Sequence, residues 1–554
     1  MTNGATTPGT CREVGVPMRD GVVLHADLYL PAGDDPHPVL VHRTAYGTLT
    51  AELVVHLVAD PAHLAAQGYA VLVQDVRGRF ASGGQWQPFV HEADDGYDTV
   101  EWAAAQPWSN GRVGVYGSSY MGITTYQAVA AAPPHLQAAA VWMAGSRFND
   151  GMLRTGGAFE LGFLSSWNLG NAMDTIDREG VDVEGRRALV ATDAWDVVRA
   201  LPYLDHPAFI VTPEVRRQVT HEPGDPLWQR LDLRPEQVTV PLLQVVGLRD
   251  WMAPSMVSLF LALQSQAGPH RMVAGPWTHH SAYAGPTGQR DLTALAPGGP
   301  VAHTPILLQF FGRHLRDLAP PEHDPVVRYF STGDDAWRNS SRWPPADTTR
   351  SYYLGPGALL DAPGPSGAQN YVHDPLDPVP TVGGSCCHPA LGPSGIVDHR
   401  AVAERADVLV YTSAPLADPL RLVGDVTLTG HLVSSVEDTD VVAVLVDVHP
   451  DGYAEPVTEG VQRARYRLGG TQDWLVPGEV TELVVHLADT AHTVRAGHRL
   501  QLEVAGSSFP RFSRNLGTRV LPELAGPDDV VVSHHQLRHG VAHPSRLVLR
   551  TLSR

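Results

Sequence analysis

The run Val113-Gly114-Val115-Tyr116-Gly117-Ser118-Ser119-Tyr120-Met121-Gly122 constrains this chain more than any other segment. Strand-forming residues pass into a glycine, two serines and then a helix-forming stretch. A strand that turns abruptly into a helix holds one serine hydroxyl clear of the backbone, at the mouth of a sheet and the positive end of the helix. A nucleophile that attacks an acyl carbon has to stand in such a place. The motif therefore points to serine chemistry on an α/β scaffold, and the rest of the chain can be searched for a base, an orienting acid and an oxyanion hole.

The surrounding pattern supplies that scaffold. Residues 22–29 alternate with period two, while 39–42, 70–74, 113–116 and 138–143 are short apolar runs bounded by turn residues. Between them, 94–105 and 120–132 have helical spacing, the latter ended by Pro133-Pro134. Buried runs alternating with helices imply a mainly parallel sheet covered on both faces. The rhythm resumes at 240–246 and 271–274, and a helix near 305–315 is expected to close the domain.

Two segments break the rhythm. Residues 147–239 scatter Phe148, Phe159, Phe163, Trp167, Trp195 and Trp228 among helix formers and prolines, which reads as a helical cap inserted over the site. From about residue 350, short alternating strands (408–411, 426–429, 441–446, 482–485, 500–504, 547–549) are punctuated by Pro, Gly and Asp, as in an all-β sandwich or jelly roll. The Pro/Gly-rich stretch 355–395 reads as a long connection. The expected division is 1–146 and 240–350 for the α/β domain, 147–239 for the cap and 351–554 for the β domain.

Composition narrows the function. A chain of 554 residues exceeds one core, and its net charge of −19, without a Lys/Arg cluster, disfavours nucleic acid as a partner. No run of 18 apolar residues exists, and residues 1–10 lack the apolar segment of a signal peptide, so a cytoplasmic protein without membrane contact is expected. Three cysteines, of which Cys386 and Cys387 are adjacent, make neither a disulfide framework nor C-x-x-C metal spacing. They are expected to be free thiols. A homodimer is compatible with all of this.

Acyl transfer by serine needs a base to take the hydroxyl proton and an acid to hold that base's tautomer. In α/β-hydrolases they follow in the order Ser, Asp, His, each after a sheet strand. Strand 242–246 ends in Gly247-Leu248-Arg249-Asp250-Trp251, and strand 272–274 ends in Gly275-Pro276-Trp277-Thr278-His279-His280. Taken singly, Asp250 could cap a helix and a histidine is by default a surface or core residue. On residue pattern alone Ser118 competes with Ser119, and His280 with His279. One oxyanion donor is expected to be the backbone N–H of Tyr120. The Tyr46 hydroxyl, on the loop after residues 39–42, is a candidate for the other or a packing aromatic.

These strings, with Met18-Arg19-Asp20-Gly21, Gln74-Asp75-Val76-Arg77-Gly78-Arg79, Glu92-Ala93-Asp94-Asp95-Gly96-Tyr97-Asp98 and Ser508-Phe509-Pro510-Arg511-Phe512, resemble the CocE/NonD hydrolases. That group holds ester hydrolases, acylases and X-Pro dipeptidyl-peptidases. The resemblance implies an α/β-hydrolase fold with an inserted helical cap and a C-terminal jelly roll. It implies Ser119 as nucleophile, Asp250 as acid and His279 as base, with Tyr46 and Tyr120 at the oxyanion hole. It further implies Trp167 in the acyl pocket, beside which Trp251 and Phe148 are expected. A small acyl substrate is the expected partner, with neither metal nor organic cofactor. Ester cleavage is the first expectation. Amide cleavage by an acylase or X-Pro-type peptidase, or acyl transfer, comes next, and non-catalytic carbohydrate binding last.

Overall fold

The computed structural model describes residues 10–48, 58–266, 268–386 and 389–553. Most of the N-terminal stretch read above for a signal peptide, and Cys387, lie outside them.

Six strands open the α/β domain: β1 (Cys11–Pro17), β2 (Val23–Tyr29), β3 (His37–Thr44), β4 (Ala70–Asp75), β5 (Ser109–Ser118) and β6 (Leu136–Trp142). The hairpin β7 (Arg154–Thr155) and β8 (Ala158–Phe159) follows in the cap. After the cap come β9 (Leu242–Gly247), β10 (Arg271–Gly275), β11 (Val327–Ser331) and β12 (Ala336–Ser340). Ten of these form one sheet in the order β1-β2-β4-β3-β5-β6-β9-β10-β11-β12. From β4 to β11 every neighbouring pair is parallel. Strands β4 and β9 are buried at every position, as a sheet covered on both faces requires. Apolar clusters lie on both faces, one of them built on Phe310, Phe311 and Leu315 of the helix Pro300–Arg316. That helix does not close the domain as expected. β11 and β12 follow it and extend the sheet, because an apolar edge at β10 needs a further paired strand.

The cap is helical: Leu161–Glu179, Val183–Val190, Ala194–Arg199, Pro213–Thr220 and Pro226–Leu231 fold over the carboxyl ends of the strands. The long helix Leu161–Glu179 ends at Gly180, whose φ of 65° is left-handed.

The C-terminal region is all-β apart from short helical turns. Eleven strands among the described residues form a sheet that folds on itself, built around the antiparallel pair Leu420–Ser434 and Val480–Val494. Burial along Leu420–Ser434 alternates almost perfectly, so its inward side chains form a two-layer core with Leu445, Leu502 and Leu547. The stretch read as a plain connection contributes two of the strands, Ala358–Leu360 and Gly367–His373. Its Pro and Gly mark the turns between them. The thiol expectation holds at Cys11, which is free, and fails at Cys386, which is disulfide-bonded.

Candidate active site

The site begins with the turn between β5 and the helix Tyr120–Ala131. Ser119 has φ 54° and ψ −125°, a conformation that costs a non-glycine residue on the order of 1–3 kcal/mol. The surroundings enforce it. A Cβ on Gly117 would stand 2.3 Å from the Met121 carbonyl oxygen, and one on Gly122 would stand 2.5 Å from Ala144 Cβ. Both positions must be glycine for the helix to start this close to the sheet. Ser118 is buried, whereas Ser119 is half-buried and faces the cap.

The partners come from the next two strand ends. His279 Nε2 lies 3.0 Å from Ser119 Oγ, and His279 Nδ1 lies 2.7 Å from Asp250 Oδ2. Asp250 Oδ1 accepts from the Met252 amide at 2.8 Å, so both carboxylate oxygens are held. The two loops are stitched together by their backbones. The Leu248 amide donates to Gly275 O at 2.9 Å and the Arg249 amide to Trp277 O at 3.0 Å. Asp250 is 1% exposed and His279 is 6% exposed, so the pair is shielded from water. Of the competing residues, Ser119 and His279 make this contact.

Tyr46 stands opposite. Its oxygen accepts from Trp167 Nε1 at 3.0 Å, which leaves the phenolic proton free to donate, and its hydroxyl also interacts with Ser119. Burial pushes the Tyr46 phenol above its ordinary range against the pull of Trp167, Arg79 and Ser119, so it stays protonated. Tyr120 begins the helix, where the first amides have no intrahelical carbonyl to meet. Its side chain turns away. The hydroxyl donates to Glu92 Oε1 at 2.7 Å and accepts from Trp86 Nε1 and the Phe89 amide, each at 3.3 Å. The ring is a peg that fixes its own backbone.

That peg belongs to an ion network that runs from the core to the surface. Glu92 pairs with Arg43 at 3.1 Å, and Arg77 pairs with Asp95 and Asp20 at 2.6 Å each. Arg19 binds Asp98 and Asp94. The motifs Met18-Arg19-Asp20-Gly21, Arg77-Gly78-Arg79 and Glu92 to Asp98 thus make a polar foundation beneath the Ser119 turn.

The other expected pocket residues divide. Trp167 is half-buried, stacked at 6.0 Å on Tyr120 and 5.7 Å on Phe89. Trp251 packs against the His279 ring at 4.5 Å. Phe148 is 1% exposed and lies a layer back, between Phe89 and Trp228. Sequence reasoning passed over Phe163 as a wall residue, although it lies 4.1 Å from Trp251 and 5.8 Å from His279. The signal was present, since Phe163 and Trp167 are four apart and share one helix face. Tyr283, 5.9 Å from the His279 ring, carried no such signal.

Comparison with known proteins fits this geometry. The family described as X-Pro dipeptidyl-peptidase (S15 family) matches residues 20–281, and the X-Pro dipeptidyl-peptidase C-terminal non-catalytic domain matches 321–548. A cocaine esterase from Rhodococcus sp. (strain MB1 Bresler) is 32% identical over 566 residues, covering 98% of each chain. The chain belongs to the CocE/NonD family of serine hydrolases. A solved α-amino acid ester hydrolase superposes on this CocE/NonD protein with a TM-score of 0.80 at 26% identity, covering all of this chain and 98% of the other. An aminopeptidase from a marine sediment Thaumarchaeota archaeon shares the fold, with a TM-score of 0.81 at 24% identity over 100% and 98% of the chains. The family places this protein among enzymes that hydrolyse ester or related acyl bonds. No helix among its described residues is long and apolar enough to cross a membrane.

Proposed function

We propose that this CocE/NonD enzyme cleaves carboxylic esters of small molecules by a two-step acyl-enzyme mechanism at Ser119. His279 Nε2 takes the Ser119 proton as Oγ attacks the carbonyl carbon. Asp250 keeps the other ring proton on Nδ1 and stabilises the imidazolium. The negative oxygen of the tetrahedral intermediate is met by the Tyr46 hydroxyl and the Tyr120 amide. His279 then passes its proton to the departing alcohol. In the second step it activates a water, which releases the acid and restores Ser119. The observation that carries this reading is the continuous chain from Asp250 through His279 to Ser119, at 2.7 and 3.0 Å.

The aromatic wall of Phe163, Trp167 and Trp251 supports an uncharged, flat or branched acyl group. The acidic side chains around it are already engaged, Glu92 with Arg43 and Tyr120, and Asp174 with Arg79 and the Phe80 amide. That arrangement favours an acyl group without a free ammonium over an aminoacyl one. The match to an X-Pro peptidase family keeps amide cleavage as the second reading. Amine leaving groups demand more of the general acid than alcohols do, so turnover of an ester and its isosteric amide separates the two. Ser119→Ala should fold normally and lose all covalent labelling by a fluorophosphonate. Labelling that persists in that variant removes Ser119 from the mechanism.

A further inference from the structure

Away from Ser119, at the seam between the catalytic and β domains, histidines gather round one buried carboxylate. Asp447 lies on the strand Asp440–Val448 and His449 follows its end, so the two stand two residues apart on one face. His498 precedes the neighbouring strand Arg499–Ala505, in which Leu500 pairs with Asp447. The fold therefore brings a D-x-H pair and a distant histidine together. His498 Nδ1 is 2.8 Å from Asp447 Oδ1, and His449 Nε2 is 4.0 Å from Asp447 Oδ2 and 3.6 Å from Glu455 Oε2. The ligand atoms of Asp447, His449 and His498 all lie within 4.8 Å of one another.

We propose that Asp447, His449 and His498 bind a divalent first-row transition cation of the zinc type. Tetrahedral zinc with bonds of about 2.0–2.1 Å sets its ligands roughly 3.4 Å apart. One ligand atom from each of the three residues lies within 4.8 Å of the other two, so small side-chain movements reach that spacing. Two imidazoles and one carboxylate select zinc, cobalt, nickel or copper over magnesium and calcium, which prefer all-oxygen shells. A supporting shell already exists. His492 donates from Nε2 to Asp447 Oδ2 at 3.0 Å, and its Nδ1 lies 2.8 Å from Thr332 Oγ1. Outer partners of this kind aim a metal-binding carboxylate. His449 and His498 keep 29% and 12% of their side-chain surface, which leaves a route for the ion and a place for a water.

The charges point the same way. Arg290 is matched by Glu455 at 3.0 Å and by Asp335 at 2.5 Å, and Arg249 lies 3.8 Å from Glu455. Asp447, 1% exposed, meets three imidazoles and no lysine or arginine in ion-pair range among the described residues. A buried carboxylate with neither lysine nor arginine beside it leans on its imidazoles for charge, and a divalent ion would supply that charge through them. The ion would also tie the β domain beside Thr332 and Arg249, so its binding should stabilise the whole fold.

The test uses the full-length protein, stripped with EDTA and desalted, titrated with ZnCl2 by calorimetry and with CoCl2 by visible absorption. The expected result is one equivalent of each metal, a low-symmetry cobalt spectrum and a raised unfolding midpoint. His449→Gln and His498→Gln should each weaken binding at least tenfold and abolish the rise in midpoint, while the metal-free variants unfold near the wild-type temperature. His25→Gln, at the other carboxylate–histidine cluster (Glu13, His25 and Asp27), should bind as wild type does. Absence of saturable binding, or binding unchanged in both His449→Gln and His498→Gln, overturns the proposal. In that event the cluster is a hydrogen-bonded network that holds Asp447 without an ion.

Discussion

At the scale of single residues, Tyr46 carries the sharpest consequence. Its oxygen is already occupied by the Trp167 indole, so its one proton can go only to another acceptor, and Ser119 is its neighbour. Tyr46→Phe keeps the ring and removes that proton. The expected loss is about 2–4 kcal/mol of transition-state stabilisation, seen in kcat with little change in KM. Turnover equal to wild type would return Tyr46 to a packing role. Trp167→Phe tests the same contact from the other side. Without the indole N–H the phenol is less polarised and less well placed, so a smaller fall in kcat is expected, on the order of 1 kcal/mol for one neutral hydrogen bond.

At the scale of elements, the helix that carries Phe163 and Trp167 is held in place by the β domain. The residue that caps its start, Glu160, is buried and bound by Arg511 at 3.1 and 3.2 Å, and Arg511 also meets Glu459 at 2.5 Å. The β7–β8 hairpin just before the helix is pinned by backbone bonds from Arg463 to Gly156 O at 2.8 Å and from Ser513 to Phe159 O at 3.0 Å. Arg511→Met should therefore leave two carboxylates buried without their partner, at a cost of about 3–5 kcal/mol. The check is a denaturant midpoint together with KM for a bulky acyl ester, which should rise as the aromatic wall shifts. A variant as stable as wild type would show that the domains do not depend on this pair.

At the scale of the whole molecule, acid should weaken both large domains before most carboxylates titrate. Burial holds His42, in the core of the catalytic sheet, down at about 4, although its hydrogen bond to Tyr116 O pulls the other way. Burial, with the charges of His373 and His534, holds His535 of the β domain at about 3. Each histidine is depressed below its unfolded value near 6.5. Its stabilising effect is therefore complete above pH 6.5 and is lost as pH falls through the window toward 4 for His42 and toward 3 for His535. The displacement from 6.5 to about 4 is worth about 3 kcal/mol for His42, and that from 6.5 to about 3 is worth about 5 kcal/mol for His535. Unfolding midpoints measured from pH 7.5 to 4 should fall steadily below 6.5, and a flat profile down to pH 4.5 would contradict this account.

The linear chain determined the layers and the candidates for the reacting groups. Apolar runs of four to seven residues bounded by turn formers are enough to place strands, and Ser119, Asp250 and His279 could each be found because they follow such runs directly. Period-two alternation likewise revealed the β domain. Tertiary structure alone decided the rest. Whether Phe163 faces the site depends on how the helix Leu161–Glu179 is rotated, which contacts from Arg511 and the β7–β8 hairpin set. The short strands 358–360, 367–373, 327–331 and 336–340 pair by registers that no local pattern encodes. The gathering of Asp447, His449, His492 and His498 at the domain seam needed the same long-range pairing. Local order follows from backbone geometry and side-chain period, which nearby residues carry. Packing across domains depends on complementary surfaces hundreds of residues apart, and those exist only once the chain has folded.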